Sequence, residues 1–431
     1  MTPATTAEPT SWSPLQKIAF RFFALLFLWY IFFNPNGVIP FTDNIFGYYI
    51  APFHWLIPWL AKHVLHLAKP ITVFTNGSGD TTYDYVTLLF TVFLSAIGAV
   101  IWSVTGRNTK NYNKLFYWLT VILRYYAGIT MVAYGSFKVV KLQFPYPSLG
   151  MLQEPLGDMS PMGLAWTYLG YSTGFNYFAG LAELGCGLLL FFRKTTTLGA
   201  VLLLVVAGNI MAINYCFDVP VKLLATALVA ISIFLLVRDH QRLINFFFRN
   251  KDARPSNLTP HRFKASWKNI TLTAAKYVLI GYTLIGTFIM VIQSSVQYGD
   301  KAKKPPLYGI YKVERFVLNK DTLPPLTTDT TRWAKMTISY AEGVQIKLMN
   351  DSMKFYAFKP DTTKHKITAY TYADTVHKFT LSYAMQKPDV MLLTGKWKKD
   401  SVQIKLRKLD PNKYRLVSRG FHWVNEYPLN K

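Results

Sequence analysis

The chain has 431 residues, 51% hydrophobic and 16% aromatic, with only 16% charged. A soluble protein carries about 25% charged residues, so this deficit, together with long apolar runs in the first two-thirds, excludes an ordinary soluble globular chain. The formal net charge is +25, but the basic residues fall in short loops and in the C-terminal tail, where membrane topology accounts for part of them and nucleic acid is not the expected partner.

Residues 1–13 are rich in Thr, Pro and Ser and are expected to be disordered. Pro14–Phe33 is long enough to cross ~30 Å of hydrocarbon, with Lys17 and Arg21 snorkelling from its start. Residues 34–82 form a polar-aromatic excursion. Within it Ala51–Leu67 places Phe53, Trp55, Leu56, Trp59 and Leu60 mostly on one face, as in an interfacial amphipathic helix. His63 and His66 read as surface histidines of that helix rather than a metal site, and no metal is expected elsewhere. Asn76–Asp80 reads as a turn before a helix capped by Asp80 or Thr82, an anion nest being the alternative.

Tyr83–Thr105, Leu115–Val140, Tyr171–Phe192, Thr196–Tyr215, Val221–Val237 and Thr271–Gln293 complete a set of seven expected spans. Basic segments at Lys17/Arg21, Arg107–Lys114, Arg193-Lys194 and Arg238–Lys268 alternate with loops poor in Lys and Arg. That alternation predicts a cytoplasmic N-terminus in a bacterial inner membrane and places the tail on the periplasmic or extracellular side. Cys186 and Cys216 differ in height by roughly 20 Å on these spans, which predicts two free thiols.

The tail changes period. Nine short segments from Tyr308–Leu318 to Tyr414–Trp423 are rich in β-branched and aromatic residues, and several alternate, as in Val402-Gln403-Ile404-Lys405-Leu406. They predict an antiparallel barrel or sandwich of about 120 residues. Leu307-Tyr308-Gly309 and Gly395-Lys396-Trp397 are similar to steps of lipocalin-like barrels. The expected division is 14–114 (two spans and an outer excursion), 115–237 (a four-helix core), 238–270 (a basic cytoplasmic loop), 271–295 (the seventh span) and 296–431 (an extracytoplasmic β domain).

Charged residues inside the spans point to a site. Arg124, Gly128, Met131, Gly135 and Lys138 form one stripe of the third span, and Glu183 sits among Gly180, Gly185 and Gly187 in the fourth. Counted from the basic boundaries, Arg124 and Glu183 both lie about 14–15 Å deep, which predicts an Arg124–Glu183 ion pair. Two roles stand for it: a contact fixing helix register, or a proton-relay or quinone-facing carboxylate. A second polar cluster is expected near the outer surface, from Lys138, Lys141, Glu154, Asp158, Asn209, Asn214, Asp218 and Lys222, with Asp218 capping the sixth helix. It is the expected pocket. No residues show specific catalytic spacing.

LRYYAGITMVAYGSFKVV (Leu123–Val140) and FAGLAELGCGLLLFFRKTTTLGA (Phe178–Ala200) resemble the DoxX-like membrane family, with Arg124, Gly128, Gly135, Lys138, Glu183, Gly187 and the basic turn at Arg193 matching its pattern. The resemblance covers roughly residues 118–237 and implies a four-helix membrane fold. The first two spans, the seventh and the β tail lie outside it. Some relatives are subunits of thiosulfate:quinone oxidoreductases and others belong to oxidative-stress complexes, so the resemblance implies a quinone and a membrane or periplasmic partner protein as candidates. The alternatives are a non-enzymatic scaffold whose β domain binds a periplasmic ligand or protein, and a small-molecule or lipid transporter.

Overall fold

A computed structural model describes residues 11–35, 40–41, 43–74, 79–253, 255, 260, 262–340 and 343–430. Most of the segment expected to be disordered, and the Asn76–Ser78 part of the expected turn, lie outside these residues. The chain divides into two compact units. One is helical and contains Pro161–Gly299 with the residues up to Phe144; the other combines Pro145–Ser160 with the chain from Asp300 onward.

The helical unit runs α1 (Pro14–Phe33), α2 (Asp43–His63), α3 (Thr82–Thr105), α4 (Asn113–Val139), α5 (Pro161–Tyr171), α6 (Thr173–Leu190), α7 (Thr196–Cys216), α8 (Lys222–Val237), α9 (His240–Phe247) and α10 (Ser266–Tyr298). Among the described residues five helices, α1, α3, α4, α7 and α10, are long and apolar enough to cross a membrane. A sixth joins them if α8 and α9, bent by 84°, count as one span. The expected fourth span, Tyr171–Phe192, is the 18-residue helix α6, which is not among those five; Ser172 separates it from α5 and caps it by accepting from the Phe175 N–H at 3.2 Å. The expected sixth span is a 16-residue helix, or about 24 Å of rise against ~30 Å of hydrocarbon.

The lipid-facing surface is apolar. On α3 alone Leu89, Phe93, Val100, Ile101 and Val104 are exposed, as a membrane helix requires. The helix at the centre is α4, with 61% of its span buried against 22–28% for the other four. Its partner is α6, and glycine decides how close they come. A Cβ on Gly135 would meet the Gly180 carbonyl at 2.7 Å, and one on Gly187 would meet the Gly128 carbonyl at 2.7 Å. The two helices therefore run antiparallel in backbone contact, in the manner of small-residue membrane interfaces.

Two helix starts differ from expectation. Thr81 caps α3 in a capping box with Asp84. Asp80 instead accepts the Lys222 and Leu223 N–H groups at 2.6 and 3.0 Å, so it caps α8 across the fold. Asp218, expected to do so, is exposed and pairs with Lys222 Nζ at 2.9 Å. Its left-handed backbone (φ 52°) turns the chain before the helix begins. Arg21 also departs from the expected snorkelling. It is buried and donates to Tyr112 Oη at 2.8 and 2.9 Å, to Ser103 Oγ at 2.8 Å and to the Gly106 carbonyl at 3.1 Å.

The second unit is an antiparallel β-barrel. Its strands are β1 (Gly309–Leu318), β2 (Asp321–Thr322), β3 (Trp333–Tyr340), β4 (Gly343–Leu348), β5 (Met353–Asp361), β6 (Lys366–Thr371), β7 (Asp374–Lys387), β8 (Val390–Trp397) and β9 (Asp400–Leu409). They follow one another as a meander, and β1 pairs with β9 from Ile310↔Leu409 to Leu318↔Val402, closing eight strands on themselves; β2 adds only a short pairing to β1. Closure removes the sheet edges. Alternation along the strands points Tyr311, Phe316, Met336, Ile346, Leu393 and Ile404 inward, so the interior is a packed apolar core. The last expected strand, Tyr414–Trp423, is not one: Pro411–Lys413 forms a 3-10 turn and Arg415–Ser418 a single helical turn. Proline at the start of that turn supplies no N–H for a ladder.

Candidate functional site: a buried ion pair between α4 and α6

Buried positions on α6 include Asn176, Gly180, Glu183, Gly187 and Leu190, one face at helical spacing. That face packs on the buried side of α4 carrying Arg124, Gly128, Gly135 and Lys138. Glu183 is 1% exposed and Lys138 5%, and the two form an ion pair between Lys138 Nζ and Glu183 Oε1. Lys138 also lies 5.7 Å from the centre of the Phe144 ring. The next lysine along, Lys141, is buried and donates to Thr173 Oγ1 at 3.3 Å.

The expected Arg124–Glu183 pair is not formed. The glycine contacts set Gly128 opposite Gly187 and Gly135 opposite Gly180. On that register Arg124 is level with Phe191, about 12 Å of rise from Glu183. Direction decides the rest. Helical side chains lean toward the N-terminus of their own helix. In this antiparallel pair Lys138 and Glu183 lean toward each other, whereas Arg124 and Glu183 lean apart. Arg124 instead donates to the carbonyls of Leu190 at 2.8 Å and Phe191 at 3.1 Å. It thereby satisfies the open carbonyls at the end of α6, where a cation also suits the helix dipole. Depth counted from span boundaries misplaced the pair because those boundaries are not at equal heights.

One oxygen of the pair is left over. Glu183 Oε2 is buried and has no hydrogen-bond partner among the described residues, and the same holds for Asn176 Oδ1 two turns earlier on the same face. Asn176 is fixed through its amide nitrogen, which donates to the Leu169 carbonyl at 2.6 Å and the Ser172 carbonyl at 3.1 Å. The site can therefore hold a charge pair in an apolar interior while keeping one carboxylate oxygen open to accept a proton or a hydrogen bond.

Of the other expected pocket residues in the helical unit, Asn214, Asp218 and Lys222 meet at one turn. Asn214 is buried and donates to the Val221 carbonyl at 3.0 Å, helping Asp80, Asp218 and Lys222 shape the α7–α8 turn. Asn209 is exposed. Glu154 and Asp158 are exposed residues of the barrel unit. Both cysteines are free, Cys186 buried and Cys216 exposed. The roles of Asp80 and Arg21 are not legible in the sequence because their partners lie up to 143 and up to 91 positions away. The only local signal was an acid or a cation close to a helix end.

Comparison with known proteins places this site in context. The family model for DoxX matches residues 119–215. The chain is similar to the uncharacterized protein YwoB of Bacillus subtilis (strain 168), with 33% identity over 126 residues that make up 29% of this chain and 79% of that protein. No solved structure matches the chain. The chain therefore belongs to the DoxX family, and the family segment carries both the glycine register of α4 and α6 and the buried Lys138–Glu183 pair.

Proposed function

We propose that this protein is the membrane subunit of a quinone-linked oxidoreductase complex, with Lys138 and Glu183 as its proton-handling group. The observation that supports this reading is the open oxygen of Glu183. A carboxylate at bilayer depth costs roughly 2.5–3.5 kcal/mol on insertion scales, and a pair serving only to fix register gains from engaging both oxygens. Here Lys138 holds Oε1, and Oε2 has no partner among the described residues. That atom fits the needs of a quinone, which when bound takes up electrons from a partner subunit together with protons. Glu183 holds a proton at Oε2 and passes it on, while Lys138 compensates the charge that remains.

The test is the small-molecule and protein content of the natively purified complex, with turnover measured per amount of folded protein. A retained quinone and a redox-active partner are expected, together with a loss of turnover of tenfold or more in Glu183→Gln, partly restored in Glu183→Asp. Turnover that falls only in step with folded yield would leave the pair a register contact and refute the proposal. A second reading, a scaffold that holds a partner through the barrel surface, draws support from the packed barrel interior. A tightly retained partner with no quinone would favour it.

A further inference from the structure

At the end of the bundle where α6 finishes lies a cavity of about 990 Å³ between α4, α10 and the Arg193 turn. Its walls carry Arg124, Arg193, Arg262 and Lys276, and among the described residues no Asp or Glu lines it. We propose that this cavity binds the phosphate group of an anionic amphiphile, a site separate from the Lys138–Glu183 pair and independent of the function proposed for it.

Four observations converge on that ligand. Like charges gathered around a cavity repel one another, and an anion between them adds an attraction to each cation that offsets that repulsion. Arg193 Nη1 is buried without a hydrogen-bond partner among the described residues, a cost that a phosphate oxygen would remove. The start of α10 opens onto the cavity through Ser266 and Asn269, and that first turn carries neither a side-chain cap nor an acidic residue. Apart from the Lys268 N–H, which donates to the Ala265 carbonyl at 3.2 Å, the N–H groups of that turn suit an anion. The remaining wall is apolar, with Val121 of α4 and Leu272, Ala275 and Leu279 of α10 on two helices long enough to span. A soluble phosphate has no use for that wall, whereas an acyl chain does. Lys276 stands over the Phe192 ring at 4.9 Å, placing its ammonium beside this boundary of apolar and basic surface.

The experiment uses the full chain, delipidated and returned to phosphatidylcholine nanodiscs containing a small fraction of phosphatidic acid. Native mass spectrometry reads the lipid retained. The wild-type protein is expected to retain phosphatidic acid in preference to phosphatidylcholine, and millimolar inorganic phosphate should not displace it. Each basic residue near a membrane surface contributes about fivefold to such binding, so Arg193→Gln combined with Lys276→Gln should weaken retention roughly 30-fold. Arg193→Lys, which keeps the charge, should lose much less. Arg124 is left intact because it also closes the end of α6. If the double variant does not fold, Arg193→Gln alone carries the test at about fivefold. Equal retention by wild type and variants would overturn the proposal. Displacement by inorganic phosphate would do so as well, since it would assign the cations to a soluble anion.

Discussion

Replacing Gly135 by alanine tests the backbone contact that sets the register of the site. The new Cβ would lie 2.7 Å from the Gly180 carbonyl oxygen, 2.8 Å from the Leu184 nitrogen and 3.0 Å from Leu184 Cγ. Two of these atoms are backbone, so no side chain can swing aside, and α4 and α6 must separate by roughly 0.7 Å or more to restore ordinary contact. Overpacking of this kind costs about 1–3 kcal/mol. Alanine also gains about 0.8–1.0 kcal/mol over glycine in a helix, which would obscure the result in a single variant. Gly185→Ala supplies the control, because nothing lies within 4 Å of its added Cβ. The propensity term is common to both variants, so their difference isolates the overpacking term. Reversible unfolding in detergent or bicelles should find Gly135→Ala less stable than Gly185→Ala by about 1–3 kcal/mol. Equal stability of the two would refute glycine-mediated contact as the origin of the register.

The ion pair has its own signature. Glu183→Leu leaves the Lys138 ammonium uncompensated and should destabilise by about 3–5 kcal/mol, whereas Lys138→Met with Glu183→Leu should recover most of that loss in a double-mutant cycle with the two single variants; additive losses would contradict the pairing. At the head of α8, Asp80→Ala should cost about 0.5–2 kcal/mol and Asp218→Ala less than about 0.5 kcal/mol, measured by the same unfolding; the reverse order would restore Asp218 as the cap. In the barrel, hydrogen bonds from Arg407 and Lys405 hold the Glu314 carboxyl below its ordinary value of 4.5. A depressed carboxylate contributes stability above its unfolded value and loses it as pH falls through the folded one. The difference in stability between wild type and Glu314→Gln should therefore be present at pH 7 and shrink as pH falls below the ordinary value and through the folded one. A difference that persists at pH 2 would exclude charge as its cause.

Much of the molecule was legible in the chain because its rules are local. Apolar length marks the membrane helices, the change to a period of two marks the barrel strands, and the spacing of Arg124, Gly128, Gly135 and Lys138 marks the buried side of α4. Even the pairing of a helix-borne cation with Glu183 follows from the sequence, since neither charge is stable alone in hydrocarbon. Which cation it is does not follow. Arg124 and Lys138 lie on the same stripe, and choosing between them needs the relative height of two helices and the direction in which their side chains lean. The height is fixed by the Gly128–Gly187 and Gly135–Gly180 contacts, which belong to two helices at once. The same limit hid the cap that Asp80 gives α8, the burial of Arg21 against Tyr112, and the meeting of Arg193 with Lys276 around one cavity. Each unites segments distant in the chain, so periodicity and composition, which act over a few turns of helix, leave them to tertiary packing.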